Sequence, residues 1–211
     1  MSDSAMRELV DALMIGDQAR SVAEAKALHA SGVSVERIVI DGVGKALEQL
    51  DGKCTLDQFN LLEIMLVGRA VMSVVRELIP RGEPMARSRA TVIVGSLEGD
   101  VHDLGKNILK MVLTGRGYNV IDCGKDCPLE QMVDEAERWK ADAVCISGLI
   151  TTVVPKVKQA RELLVRRGLG HVKVLAGGAA LKQAAAESLK VDFVAETAFD
   201  GARYLELEIG R

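Results

Sequence analysis

Aromatic residues are scarce in this chain: one Trp, two Tyr and three Phe among 211 residues. That is too little for a stacking platform that holds unpaired bases. Basic clusters are lacking as well, since 27 Lys and Arg stand against 30 Asp and Glu for a net charge of -3, and no segment is built to neutralise a run of phosphates. Nucleic acid is therefore not an expected partner. Apolar stretches such as Val71–Val75 and Thr91–Val94 stop far short of the roughly 20 residues that a bilayer-spanning helix requires. The opening Met1-Ser2-Asp3-Ser4 has no charged-then-apolar signal pattern. These features predict a cytoplasmic protein with no membrane contact. The four cysteines, at 54, 123, 127 and 145, form no Cys-x-x-Cys pair, and no histidine stands at zinc-finger spacing. Neither a disulfide framework nor a structural zinc site is encoded. Cys123 and Cys127 lie in a loop without the surroundings that lower a thiol pKa, so they are read as inert. His29 and His171 are read as solvated.

Apolar residues are plentiful at 48%, enough for a sizeable core, and their spacing divides the chain in two. Up to about residue 80 they recur at three- and four-residue steps. Helices are predicted over Ser4–Ile15, Asp17–Ala30, Ser34–Leu50 and Thr55–Ile79, broken at Gly16, Ser31-Gly32 and Asp51-Gly52. Four helices with short connections predict a bundle. The fourth is so apolar that it is expected to bury two faces, with Met65 and Met72 filling core. The stretch from Pro80 to Arg89 holds two prolines and a glycine and reads as a linker. The predicted domains are thus a helical cap over 1–82, a linker over 83–89 and an α/β domain over 90–211.

Beyond the linker, short β-branched runs alternate with helical patterns. Strands are predicted over Ala90–Val94, Tyr118–Asp122, Asp142–Ile146, Val172–Leu175 and Asp192–Ala195. Helices follow over Leu104–Arg116, Leu129–Lys140, Val153–Arg167, Lys182–Leu189 and Ala198–Ile209. Five strand–helix units predict a parallel, doubly wound, flavodoxin-like sheet of order 2-1-3-4-5. Ligands of such sheets bind beyond the carboxyl ends of the strands, at the switch point between the first and third. Three loops meet there: Gly95 to Asp103, Ser147 to Thr152, and Ala176-Gly177-Gly178-Ala179.

The first of these loops carries its only histidine, His102, with Asp100 two residues earlier. A neutral imidazole can ligate a transition metal through one nitrogen while the other donates to a carboxylate, which sets the tautomer and raises donor strength. A hydroxyl such as that of Ser147 can extend the proton path. One imidazole cannot hold a bare ion, so a metal on His102 has to arrive in a cofactor with its own equatorial donors, haem or a corrinoid.

Asp100-Val101-His102-Asp103-Leu104-Gly105 resembles the D-x-H-x-x-G signature of cobalamin-binding domains. Forty-one residues (106–146) separate Gly105 from Ser147-Gly148-Leu149, and 27 more (150–176) lead to Gly177-Gly178. Those two elements resemble the family's S-x-L and G-G motifs in order and spacing. With the helical half in front, nearly the whole chain is similar to the corrinoid proteins of anaerobic methyltransferase systems and to the cobalamin module of methionine synthase. The segment Leu62 to Met72 resembles the family's cap-facing helix, with Leu62 where a proline is common.

The resemblance implies a cobalamin, as methylcobalamin or another corrinoid, bound with its own base displaced and its cobalt on His102. It implies a relay of Asp100, His102 and Ser147. Val101, Asp103, Gly105, Leu149, Thr151, Thr152, Gly177 and Gly178 are expected to contact the cofactor, the two threonines also capping the next helix. The implied function is that of a methyl carrier, a non-autonomous corrinoid subunit. It would be loaded by a substrate-specific methyltransferase and unloaded by a second one to a thiol or tetrahydrofolate-type acceptor, with a reductive activase as a further partner. A cobalamin-dependent sensor and the cobalamin subunit of a carbon-skeleton mutase are the alternatives; the sensor lacks a basic reading head here, and the mutase subunit would lack the helical cap.

Overall fold

The computed structural model describes residues 2–53, 60–79 and 88–210. Residues 80–87, which hold most of the expected linker, lie outside them. The chain divides into two compact units, Met1–Ser88 with Met111–Gly117, and Arg89–Lys110 with Tyr118–Arg211.

The first unit is helical. Helices α1 (Ser2–Met14) and α2 (Gln18–Ala30) are followed by α3 (Val35–Arg37), α4 (Gly44–Lys53) and α5 (Leu61–Leu78). Polar side chains start them: Asp17 accepts from Arg20 N–H at 3.0 Å, Ser34 from Arg37 N–H at 3.3 Å and Asn60 from Glu63 N–H at 3.2 Å, each satisfying an orphan first-turn donor. The expected single helix over Ser34–Leu50 contains a π-helical stretch, Ile38–Val43. This wider turn places Ile38, Val39 and Val43 in the core together with Ala46, Leu47 and Leu50, so tertiary packing sets it rather than local propensity.

Helix α5 corrects two expectations. It opens at Leu61 behind its Asn60 cap, while residues 54–59, where the predicted helix began, are outside the described residues. It buries one stripe and not two faces: Ile64, Val67, Ala70, Val71, Val74 and Val75 are inside, whereas Leu61, Leu62, Met65 and Leu66 are exposed. Met65 is therefore not core, because it falls on the far side of a stripe that follows three- and four-residue steps.

The second unit is a five-stranded parallel sheet in the order β2-β1-β3-β4-β5, as the alternation predicts. Its strands are β1 (Thr91–Ser96), β2 (Asn119–Asp122), β3 (Ala143–Ser147), β4 (Lys173–Gly177) and β5 (Phe193–Ala195). The helices are α6 (Leu104–Gly115), α7 (Leu129–Arg138), α8 (Val154–Arg166), α9 (Ala186–Leu189) and α10 (Ala198–Ile209). Strands covered on both faces read as continuous apolar runs, and Val92–Val94 and Ala143–Ile146 are buried throughout. One core joins Ile93, Val144, Ile146 and Val174 to Met132, Val133 and Ala136 of α7 and Val157, Ala160 and Leu164 of α8. Helix α10 packs on β4 and β5.

Several boundaries differ from the sequence reading. Strand β1 runs on to Ser96, paired with Ser147 of β3, so both strands end level at the switch point. The predicted helix Lys182–Leu189 shrinks to Ala186–Leu189. Its first half is spent on tight turns, with Leu181 and Lys182 N–H both donating to Gly178 O.

Candidate functional site

The switch point opens with a turn. Leu97 O accepts from Asp100 N–H at 2.9 Å, and Gly99, third of the four residues, sits at φ +95, the glycine position of a type II turn. The turn drives Asp100 inward until its side chain is 0% exposed, while the His102 side chain stays 52% exposed. A buried carboxylate needs donors, and Asp100 has them on both oxygens. Oδ1 accepts from His102 N–H at 3.0 Å and lies 2.8 Å from His102 Nδ1. Oδ2 accepts from Leu149 N–H at 2.6 Å.

Burial by itself pushes the Asp100 pKa up. The amide donors of Leu149 and His102, the His102 ring and the Ile150 amide outweigh that effect and hold it below the ordinary carboxylate value. Asp100 is thus ionised and only accepts, so in the neutral His102 ring the proton sits on Nδ1 and the lone pair on Nε2. A metal ligand needs that arrangement. The backbone around the ring is held as well: the buried hydroxyl of Ser96 donates to His102 O at 2.8 Å.

The structure brings Asp100, His102 and the 149 amide together. It does not join Ser147 to them by a hydrogen bond among the described residues; the Ser147 hydroxyl rests 3.2 Å from where a β-carbon on Gly105 would lie. Asp103 O accepts from Asn107 N–H at 2.8 Å, opening α6. Thr151 and Thr152 are exposed and do not cap α8. That helix has Val153 at its N-cap with no side-chain bond, and Pro155 presets its first turn. Gly177 O accepts from Gly148 N–H at 2.9 Å. Gly178 has φ +99, and a β-carbon there would stand 2.5 Å from Gly148 O. This glycine is required by the approach of the two loops, whatever else it touches.

Three features escaped sequence reasoning. Ser96 is one; Asp126 is another, with Oδ1 accepting from Gly99 N–H at 2.7 Å. The third is an ion cluster beside the loop, in which Lys106, 4% exposed, and Lys110 hold Asp122 at 2.7 and 2.9 Å. Burial raises the Asp122 pKa, but the two lysines and the Gly124 amide prevail and lower it. Only the i,i+4 spacing of the lysines hinted at this cluster.

Among the described residues no group of three or more metal-ligating side chains exists. The donor set is a single oriented imidazole, and the same loops leave Val101, Leu104 and Leu149 exposed, Leu149 being the residue whose N–H reaches Asp100. That suits a metal whose other donors come in a flat, largely apolar macrocycle, and it does not suit a bare ion.

The comparisons with known proteins agree with this chemistry. Residues 90–203 match the family model of the B12 binding domain. The chain is 40% identical over 166 residues to dimethylamine corrinoid protein 1 of Methanosarcina acetivorans, covering 76% of this chain and 77% of that one. It is 33% identical over 219 aligned positions to a corrinoid protein of Desulfitobacterium hafniense, covering 99% of each. The solved methanol:cobalamin methyltransferase complex MtaBC from Methanosarcina barkeri has the same fold, with a TM-score of 0.82 at 22% identity over 98% of this chain and 80% of that one. No helix among the described residues is long and apolar enough to cross a membrane.

Proposed function

Because this chain belongs to the B12-binding domain family, we propose that it is a methyl-carrying corrinoid protein whose His102 is the lower axial ligand of a cobalamin bound base-off. The observation that carries the reading is the His102–Asp100 pair: a half-exposed ring whose Nδ1 is committed to a buried carboxylate and whose Nε2 is left as a donor. When bound, the corrinoid supplies a cobalt centre that accepts a methyl group and gives it up again.

The protein's own residues do the rest. Asp100 keeps the ring in one tautomer, and Ser96 fixes the backbone that carries it. Asp100 would hold the Nδ1–H of His102 whether or not Nε2 carried a ligand. The exposed Val101, Leu104 and Leu149 of the same loops would offer apolar surface to the corrinoid. Asp103, Gly105, Ser147, Thr151, Thr152, Gly177 and Gly178 complete the proposed contacts, with residues 1–82 as a cap joined through 83–89.

Loading by a substrate-specific methyltransferase is supported by relatives named for dimethylamine and by the solved methanol:cobalamin methyltransferase complex. Unloading falls to a second methyltransferase with a thiol or tetrahydrofolate-type acceptor, and a reductive activase restores the cofactor.

The test is titration of the purified protein with hydroxocobalamin, followed by absorption and by electron paramagnetic resonance after reduction to the cob(II) state. The expected result is one equivalent bound with an imidazole nitrogen as lower ligand, a signature that His102→Ala loses. Identical spectra for the two proteins, or coordination by dimethylbenzimidazole in the natural sequence, would refute the assignment.

A further inference from the structure

The turn that brings in Asp100 is itself held by residues of two other elements. Its backbone lies against the loop after β2: Glu98 N–H donates to Cys127 O at 2.8 Å, Asp126 N–H donates to Asp100 O at 3.0 Å, and Asp126 Oδ1 accepts from Gly99 N–H at 2.7 Å. Asp126 thus turns both its amide and its carboxylate toward one short stretch. It does so from φ +54, a left-handed conformation that Asp reaches more readily than most residues and keeps when its surroundings over-determine it.

Lys156 of α8 adds a second anchor. Its Nζ donates to Glu98 O at 3.2 Å and to Glu98 Oε2 at 2.6 Å. Glu98 O and Gly99 N–H belong to the same peptide group, whose reversal distinguishes a type II turn from a type I turn. A carboxylate therefore faces the N–H end of that peptide and an ammonium faces its C=O end. Reversal would set the carbonyl against Asp126 and the N–H against Lys156, so both charges oppose it.

We propose that Asp126, seconded by Lys156, is a positioning residue for His102: the two clamp the turn so that Asp100, and through it the imidazole, is presented in one orientation. The inference rests on the reading of His102 as the axial ligand. Leu97 O holds the Asp100 amide at 2.9 Å and Asp126 N–H holds the Asp100 carbonyl, so the peptide planes on both sides of the Asp100 α-carbon are fixed. From there its carboxylate meets His102 and Leu149 N–H. The turn is ordered before any ligand arrives, and binding does not have to order it. Asp126 is the main anchor, because it holds two backbone groups. The Lys156 and Glu98 side chains are 36% and 58% exposed, and an ion pair so open to water contributes little.

The experiment measures amide hydrogen exchange residue by residue on the full-length, corrinoid-free protein, with the 15N shifts of the His102 ring, and then the Kd for hydroxocobalamin. In Asp126→Ala, exchange at Gly99 should be faster by about tenfold, as the loss of roughly one net hydrogen bond implies. Exchange should also rise at the His102 and Leu149 amides, which donate to Asp100. The neutral ring should lose part of its Nδ1-protonated form, and the Kd should rise. Asp126→Asn keeps the accepting oxygen and tolerates the left-handed backbone, so it should restore all of these readouts. Lys156→Met should move them in the same direction by less than about fivefold. Gly99→Ala is a second route to the same result should Asp126→Ala fail to fold: a β-carbon there meets nothing within 4 Å, yet φ +95 is strained for it, so it should loosen the same amides with Asp126 in place. Four results would overturn the proposal: unchanged exchange in Asp126→Ala, a change confined to Gly99, no rescue by Asp126→Asn, or an unchanged Kd in Asp126→Ala. A natural protein that bound no hydroxocobalamin would instead refute the axial-ligand reading, while the amide and ring measurements, made without corrinoid, would still decide whether the clamp exists.

Discussion

Replacing Asp100 with Asn keeps the shape of the side chain and removes half of its accepting capacity. In the natural protein two oxygens accept from three donors: His102 N–H, His102 Nδ1 and Leu149 N–H. An amide offers one oxygen and one NH2, so wherever the oxygen points, at least one buried donor faces another donor. A hydrogen bond to a charged group contributes about 1.5–3 kcal/mol, and an orphaned buried N–H costs a further 1–3; with the two partly overlapping, the expected loss is roughly 2–4 kcal/mol. For an α/β unit of this size that corresponds to a fall in Tm of about 10 °C. The assay is calorimetry of the corrinoid-free protein, following the transition of the sheet-bearing unit. Ser147→Ala is the control: its hydroxyl shares no hydrogen bond with Asp100 among the described residues, and its cost should stay under about 1 kcal/mol. If Asp100→Asn cost less than that, or if the two variants fell together, the picture of Asp100 as the clamp between the two loops would be wrong.

Acid should weaken the fold through Asp100 and Asp122, whose native pKa values are both lowered. Their stabilisation is complete above the ordinary carboxylate value of 3.8 and is lost as pH falls from there through the lowered native values, because the unfolded chain binds protons first. Denaturant midpoints measured from pH 6 downward should drop in that window, and less steeply in Asp122→Asn; an equal slope in that variant would contradict the assignment. Gly178→Ala should destabilise by about 1–3 kcal/mol, since it adds a β-carbon at a strained backbone position only 2.5 Å from Gly148 O. A chemical-denaturation midpoint unchanged by that substitution would show that the loops after β3 and β4 do not need this close approach.

Much of this was legible in the sequence. Parallel strands buried on both faces write themselves as apolar runs, so β1 to β5 followed from alternation, and their order from the arrangement common to five-stranded sheets of this kind. The pairing of Asp100 with His102 was also visible, because the two residues are adjacent enough for one turn to join them. The start of helix α9 and the capping role of Thr151 and Thr152 were misread for a different reason: their helical patterns and hydroxyls are locally persuasive, while the turns at Gly178 and the Pro155 start of α8 respond to neighbouring loops. The π-helical stretch and the exposed N-terminal end of α5 likewise depend on what each helix meets in its own unit.

Local periodicity and short spacings were sufficient to determine the strand–helix order, the switch point and the identity of the ring that faces out of it. Only the folded chain decided what holds that ring in place. Leu149 N–H reaches Asp100 across 49 residues and Gly99 N–H reaches Asp126 across 27, and Lys106 meets Asp122 from another element. Such partnerships follow from how strands end and loops converge in space, which no local pattern of residue types encodes.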